Sequence, residues 1–206
     1  MRSIKLLVLL ALTGFAGGAW ATVIGFDFES QAVASHTAPH DVTAAGLTVT
    51  IGQGDPTATD FRFADGGGGV PAGFGGRSLE SLNGASFVFE FSTAVDGVSI
   101  DFADAAADAD TGYLYVFGPG GGAALGFAGD TLVADPAGGP TWATLSVQAA
   151  GITSAMVMAT PDNSVWWDNL QVTRAHQVPE PLTPALLVAG LGLLGLQRRA
   201  ARRRTA

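Results

Sequence analysis

The chain has no cysteine among its 206 residues, so neither a disulfide nor a thiolate–metal centre holds it together. Lysine is nearly missing too, with Lys5 the single example. Between Thr22 and Gln177 there are only three cationic side chains, Arg62, Arg77 and Arg174, against seventeen of the chain's eighteen acids. That segment carries −14 where the whole chain carries −8. Phosphate binding needs clustered Lys and Arg, so nucleic acid is excluded as a partner. Divalent cations are the natural counter-ions of such a surface. Signature chemistry is also lacking: there is no G-x-S-x-G elbow, no cysteine nucleophile and no H-E-x-x-H. Glu80 and Glu90 supply two carboxylates of the kind a glycosidase pairs, but no nucleophile, base and orienter accompany them. The expectation is a protein that is not an enzyme.

Helical periodicity is the last absence. Away from the two ends, no useful window shows an apolar stripe at 3.6 residues. What replaces it is alternation. Ile24, Phe26 and Phe28 share one face of a strand, with Asp27 and Glu29 on the other. Gly46 to Ile51 alternates again, after a polar loop holding two histidines. The stretch Gly52 to Gly76 reads as loop, interrupted by Phe61-Arg62-Phe63, and Asp65 to Gly69 reads as a surface excursion. Ser86 to Phe91 places three Phe at a spacing of two. Val98 to Phe102, Tyr113 to Phe117, Ala124 to Phe127, Thr141 to Val147, Ala155 to Ala159 and Val165 to Val172 complete the set. Gly, Pro and Asp clusters punctuate them at the rhythm of a sandwich. The fold class expected is all-β, a two-sheet antiparallel β-sandwich. Phe26, Phe28, Phe87, Phe89, Phe91, Ile100 and Phe102 are its expected core.

Several constellations are weaker. His36 and His40 sit four apart, but Pro39 between them disfavours the helix that would align two zinc ligands. Asp104, Asp108 and Asp110 lack the remaining ligands of an EF-hand loop. Trp142, Trp166 and Trp167 are the tryptophans of the middle segment. Neighbours on a strand face opposite sides, so one of Trp166 and Trp167 belongs to the core and the other to the surface. An exposed indole can stack on a sugar ring, which makes Trp166 or Trp167 a candidate glycan contact.

The two ends are of another kind. Arg2 and Lys5, the apolar run Leu6 to Leu12, and the exit Ala19-Trp20-Ala21 form a secretory signal over residues 1–21, a short helix. Residues 22–177 are one domain in size. Residues 178–206 hold Pro179-Glu180-Pro181, the apolar run Leu182 to Leu196, and Arg198, Arg199, Arg202, Arg203 and Arg204. As a helix that run is about 22 Å long, short of the roughly 30 Å hydrocarbon core, with arginines that hold the tail in the cytoplasm.

Val178-Pro179-Glu180-Pro181, the stretch Gly-Leu-Gly-Leu-Leu-Gly from 190 to 195, and the terminal arginines together resemble the PEP-CTERM sorting signal of Gram-negative exopolysaccharide producers. The resemblance implies passage through the Sec translocon, removal of the leader by signal peptidase, and a transient hold in the inner membrane by a short transmembrane helix. It further implies cleavage near the triplet by an exosortase and release to the cell surface or matrix. Phe26-Asp27-Phe28-Glu29 and the run Val165 to Val172, with Asp168-Asn169 inside it, resemble the jelly-roll domains related to galactose-binding-like and carbohydrate-binding modules. That likeness implies adjacent first and last strands, with Asp27 or Glu29 near Asp168 around a structural calcium ion. The function expected is a structural or adhesive protein of the exopolysaccharide matrix. The alternative is a carbohydrate-binding module with a defined glycan, and a polysaccharide hydrolase comes third.

Overall fold

The computed structural model describes residues 21–55, 60–65, 74, 76–80, 86–104, 109–133, 141–160 and 165–175. The signal segment up to residue 20, most of the glycine run after Asp65, Asp108, the Pro179-Glu180-Pro181 triplet and the terminal arginines lie outside them. No helix long and apolar enough to cross a membrane occurs among the described residues. One compact unit spans Ala21–Ala175.

Eleven strands make it: β1 Ala21–Phe26, β2 Ala34–Thr37, β3 His40–Ala44, β4 Leu47–Gln53, β5 Asp60–Asp65, β6 Arg77–Glu80, β7 Phe87–Asp104, β8 Asp110–Phe117, β9 Ala124–Leu132, β10 Thr141–Thr160 and β11 Val165–Ala175. Every pairing found is antiparallel. The fold is all-β, yet its strands form one continuous hydrogen-bonded network of eleven rather than two separate sheets. The reason lies in β7 and β10, which run to 18 and 20 residues. Ser86–Phe91 and Val98–Phe102, separate runs by sequence, are two halves of β7; Thr141–Val147 and Ala155–Ala159 are likewise halves of β10. Most residues between them are small or polar, which reads as a turn, but the β7–β10 ladder is carried across by Val95 opposite Ile152, with a register shift on either side.

The halves carry different neighbours. The first half of β7 lies between β4 and the second half of β10, which continues to β8 and β9. Its second half lies between β11 and the first half of β10, and β11 leads on to β6, β5 and β2, with β1 alongside. The buried face of β7 changes phase on the way: Phe87, Phe89, Phe91 and Val95 point inward first, then Val98, Ile100 and Phe102. The network therefore folds over on itself into two layers with one apolar core between them.

Contacts across the core fix the spacing. Phe61 of β5 meets Phe87 of β7 at 6.1 Å, edge to face. The ring of Phe102 lies over Gly112 of β8, where a Cβ would stand 2.7 Å from it. All seven expected core residues are buried. Phe28 reaches the core from beyond the end of β1, with a φ of 57°, rather than from within a strand. Strands β2, β3 and β6 have only four or five residues and little branched or aromatic content, which is why they read as loop.

Candidate functional site

Register places six side chains from six strands in one transverse row on the outward face of the second layer. Residues directly opposite each other in an antiparallel pair point to the same side. Ser35 of β2 opposes Arg62, Arg62 opposes Glu80, and Glu80 opposes Trp166. Trp166 in turn opposes Ala103, and Ala103 opposes Trp142. The inward positions beside them confirm the facing, since Phe61, Leu79, Trp167, Phe102 and Leu145 are all core.

The two indoles thus stand on strands either side of Ala103, whose methyl group is the smallest side chain that still covers the backbone. Two strand spacings separate them by about 10 Å at the backbone. Trp142 is 44% exposed and Trp166 half-buried, while Ala103 between them is fully buried. A ring held between two aromatic walls needs about 7–8 Å, twice the contact distance. The row has a polar end as well. Arg62 Nε donates to Glu80 Oε2 at 2.5 Å, and a guanidinium nitrogen forms an ion pair with the same oxygen. Glu80 is the more covered partner, at 15% side-chain exposure against 44% for Arg62. The row sits where β6 and β7 end and β10 and β11 begin, the part of a sheet from which loops emerge.

Trp167 lies in the core, stacked on Phe102 at 5.5 Å. Trp166 is its outward neighbour, and its indole nitrogen is buried without a hydrogen-bond partner among the described residues. Glu80 and Glu90 are not a pair. Glu90 opposes Ser154 and Thr50 on the outward face of the first layer, with the core between it and Glu80.

Asp27, Glu29 and Asp168 are not brought together, and no group of three or more metal-ligating side chains exists among the described residues. Each has other work. Asp27 Oδ1 accepts from the Glu29 amide at 3.3 Å, and Glu29 Oε1 accepts from the Arg77 amide at 3.0 Å. The Arg77 guanidinium donates to the carbonyls of Glu29, at 2.8 Å, and Gln31. It also approaches Asp65 at 3.4 Å. The Arg77 guanidinium thus holds the segment after β1 by its carbonyls, while the Arg77 backbone amide engages the Glu29 carboxylate. Asp168 is buried and accepts from the Asn169 amide at 2.7 Å. The Asp-Asn pair is a structural device: Asn169 takes a φ of 50° at the bulge where β11 loses register with β7.

His36 and His40 meet without a helix. Their rings are 4.6 Å apart across the turn from β2 to β3, against Phe61 and Phe63. His36 Nε2 is 3.1 Å from the Ala32 carbonyl and His40 Nε2 is 3.0 Å from Gln31 Oε1. Burial, then the neighbouring His36, holds His40 below the ordinary imidazole value, while Asp41 acts the other way.

Ala103, and the roles of Arg62, Glu80 and Trp142, escaped the sequence. No local pattern joins six positions spread over more than a hundred residues; only strand order does.

No protein-family profile and no curated protein sequence matches the chain. Among solved structures it is similar to the K2 adhesin domain of Lys-gingipain, at 14% identity and a TM-score of 0.49, over 73% of this chain and 99% of that one. CsCBM6-3 from Clostridium stercorarium, solved with cellobiose, gives 15%, 0.34, 70% and 95% for the same measures. The CBM22-2 xylan-binding domain of Xyn10C from Paenibacillus barcinonensis gives 17%, 0.38, 73% and 98%. None of these likenesses is close enough to carry a function to this chain.

Proposed function

We propose that this chain is an exported, non-enzymatic glycan-binding protein, with the outward row that holds Trp142 and Trp166 as its binding site. The observation that supports this reading is the row itself: two outward indoles flank a methyl group, with a carboxylate–guanidinium pair beside the inner one. Indole faces take up the C–H faces of a pyranose, and Glu80 with Arg62 offers acceptor and donor to its hydroxyls. Because Arg62 is neutralised by Glu80 in a domain of −14, the ligand class is an uncharged polysaccharide rather than a polyuronate. The setting proposed is the exopolysaccharide matrix, reached by signal peptide, Sec translocon and exosortase, with a structural or adhesive role there. The sequence at 1–21 and 178–206 supports that route.

Affinity electrophoresis of the full-length chain in gels containing hydroxyethylcellulose, galactomannan, xylan or alginate tests the site. Retardation by at least one neutral polymer, lost in Trp142→Ala and Trp166→Ala, is the expected result. Equal retardation of both variants and the parent would refute it. For the route, replacing Pro179-Glu180-Pro181 by alanines should leave the protein in the inner-membrane fraction; unchanged export would remove the processing step.

A further inference from the structure

Strand β9 ends the sheet order, and among the described residues only β8 pairs with it. Three other strands have a single partner, β1 with β11, β2 with β5 and β3 with β4, and they run to only six, four and five residues. β9 has nine, with no proline, lysine or arginine to blunt its edge. A bulge at Leu125 shifts its start, after which the ladder to β8 is regular from Gly126 to Leu132. An edge strand of this length is a template for another strand.

Thr131 shows which backbone groups lie on the open side. Its amide donates to Asp130 Oδ1 within its own strand, at 2.8 Å. Its hydroxyl is 2.8 Å from that of Thr111 directly opposite, the close side-chain approach of a non-hydrogen-bonded pair. The N–H and C=O of Thr131 therefore point away from β8, and alternation gives the same direction to Phe127 and Gly129. The side chains along this edge are apolar. Phe127 is 69% exposed, and Leu125 and Val133 at the two ends are exposed as well.

The first half of β10 closes the same side of the sandwich. A Cβ on Gly126 would stand 2.8 Å from Val147, and Thr141 to Gln148 pair with β7 alone among the described residues. In both stretches together the single charged residue is Asp130, within a segment that holds seventeen acids. This is the side on which two domains of −14 can approach with least repulsion.

From this edge we infer that the protein pairs with a second copy of itself, β9 against β9, antiparallel across a two-fold axis. With Ala128 on the axis, Phe127 opposes Gly129 of the copy and Gly129 opposes Phe127. These are the residues whose backbone groups are open, so each pair exchanges N–H and C=O across the join. Each Phe127 ring takes the space over a glycine, beside the Tyr113 ring that already covers it at 3.1 Å from the missing Cβ. Asp130 opposes Gly126, so no carboxylate is set against its copy. The strand is thus complementary to itself in hydrogen bonds, ring space and charge. The inference does not depend on the glycan reading, since no residue of β9 belongs to the row of Trp142 and Trp166.

Sedimentation velocity of the full-length chain in mild detergent, over a concentration series, tests it. The parent is expected to pass from monomer to dimer. Phe127→Lys should raise the dissociation constant about tenfold or more, as loss of a central aromatic contact does, and should keep the parental melting curve because the side chain is exposed in the monomer. The dimer should tighten as salt rises from about 20 to about 300 mM, since screening relieves the repulsion between acidic domains. With no native cysteine, single replacements report the register: Ala128→Cys should oxidise to a disulfide-linked pair and Thr131→Cys should not. A parent that stays monomeric, a Phe127→Lys variant that associates like the parent, a dimer weakened by salt, or cross-linking through Thr131→Cys in preference to Ala128→Cys overturns the inference. Loss of polymer retardation in the tryptophan variants leaves every one of these readouts unmoved.

Discussion

The side-chain amide of Asn169 donates to Asp101 Oδ2 at 3.0 Å, tying β11 to β7 at the point where their register breaks. Asp101 Oδ1 meanwhile accepts from Thr144 Oγ1 on β10, so one carboxylate clamps three strands of the second layer. Asn169 contributes twice, through its tolerance of a φ of 50° and through its amide. Asn169→Gly retains the first contribution and Asn169→Ala neither. Urea denaturation should place Asn169→Gly about 0.5–1.5 kcal/mol below the parent, the worth of one hydrogen bond. Asn169→Ala should fall lower by a further ~1–2 kcal/mol, the cost of a left-handed alanine. Equal stability of the two variants would mean the bulge relaxes when the amide is lost.

Arg77 is the cation that joins the segment after β1 to β6, through two carbonyls, and Asp65 lies within reach of its Nε. Removing it leaves those carbonyls to water and frees the Glu29 side chain only in part, since the Arg77 backbone amide remains its donor. Arg77→Ala should cost about 1.5–3 kcal/mol, the range for charge-assisted bonds. Among the described residues no three metal-ligating side chains gather, which predicts that calcium is not needed. Melting of the parent should be the same in millimolar calcium and in EDTA. A rise of more than about 4 °C with calcium, near 1 kcal/mol for a domain of this size, would restore the ion to the picture.

His40 gives the fold a dependence on acid. Its folded value lies below the ordinary 6.5, chiefly through burial and then through His36, with Asp41 opposing. The unfolded chain therefore binds this proton at higher pH than the folded chain does. Stability is complete above the unfolded value, falls as pH drops through that value toward the folded one, and levels off below both. Urea midpoints should be lower at pH 5 than at pH 7.5, and His40→Gln should reduce that difference. A variant with the parent's full pH dependence would shift the cause to other groups.

The core was legible because it rests on short-range alternation. Phe87, Phe89 and Phe91 fall on one face whatever their partners, and Ile100 with Phe102 does the same in the other half of the strand. The continuity of β7 was not legible, since Ser92-Thr93-Ala94 looks the same in a bent strand as in a turn. The candidate sites were less visible still. Trp166 could be seen as a tryptophan beside a core tryptophan, but its neighbours Ala103, Trp142 and Glu80 come from β7, β10 and β6, chosen by pairing. The partner of Glu29 was hidden for a related reason, since Arg77, whose amide and guanidinium engage it, lies on a four-residue strand that reads as loop.

The pair of tryptophans makes a sharper prediction than loss of binding on truncation. If the indoles act as two walls on one sugar ring, each wall is worth little without the other. Trp142→Ala and Trp166→Ala should each reduce affinity for a retarding neutral polymer by about 1–3 kcal/mol, the range measured for stacking on single aromatic rings. The double variant should lose less than the sum, with a coupling of at least about 0.5 kcal/mol, as residues sharing one partner do. Glu80→Gln leaves both walls but frees Arg62 from its carboxylate, so retardation by alginate should appear or strengthen as that by the neutral polymer weakens. Additive losses in the double variant would mean that the two indoles touch different parts of the ligand.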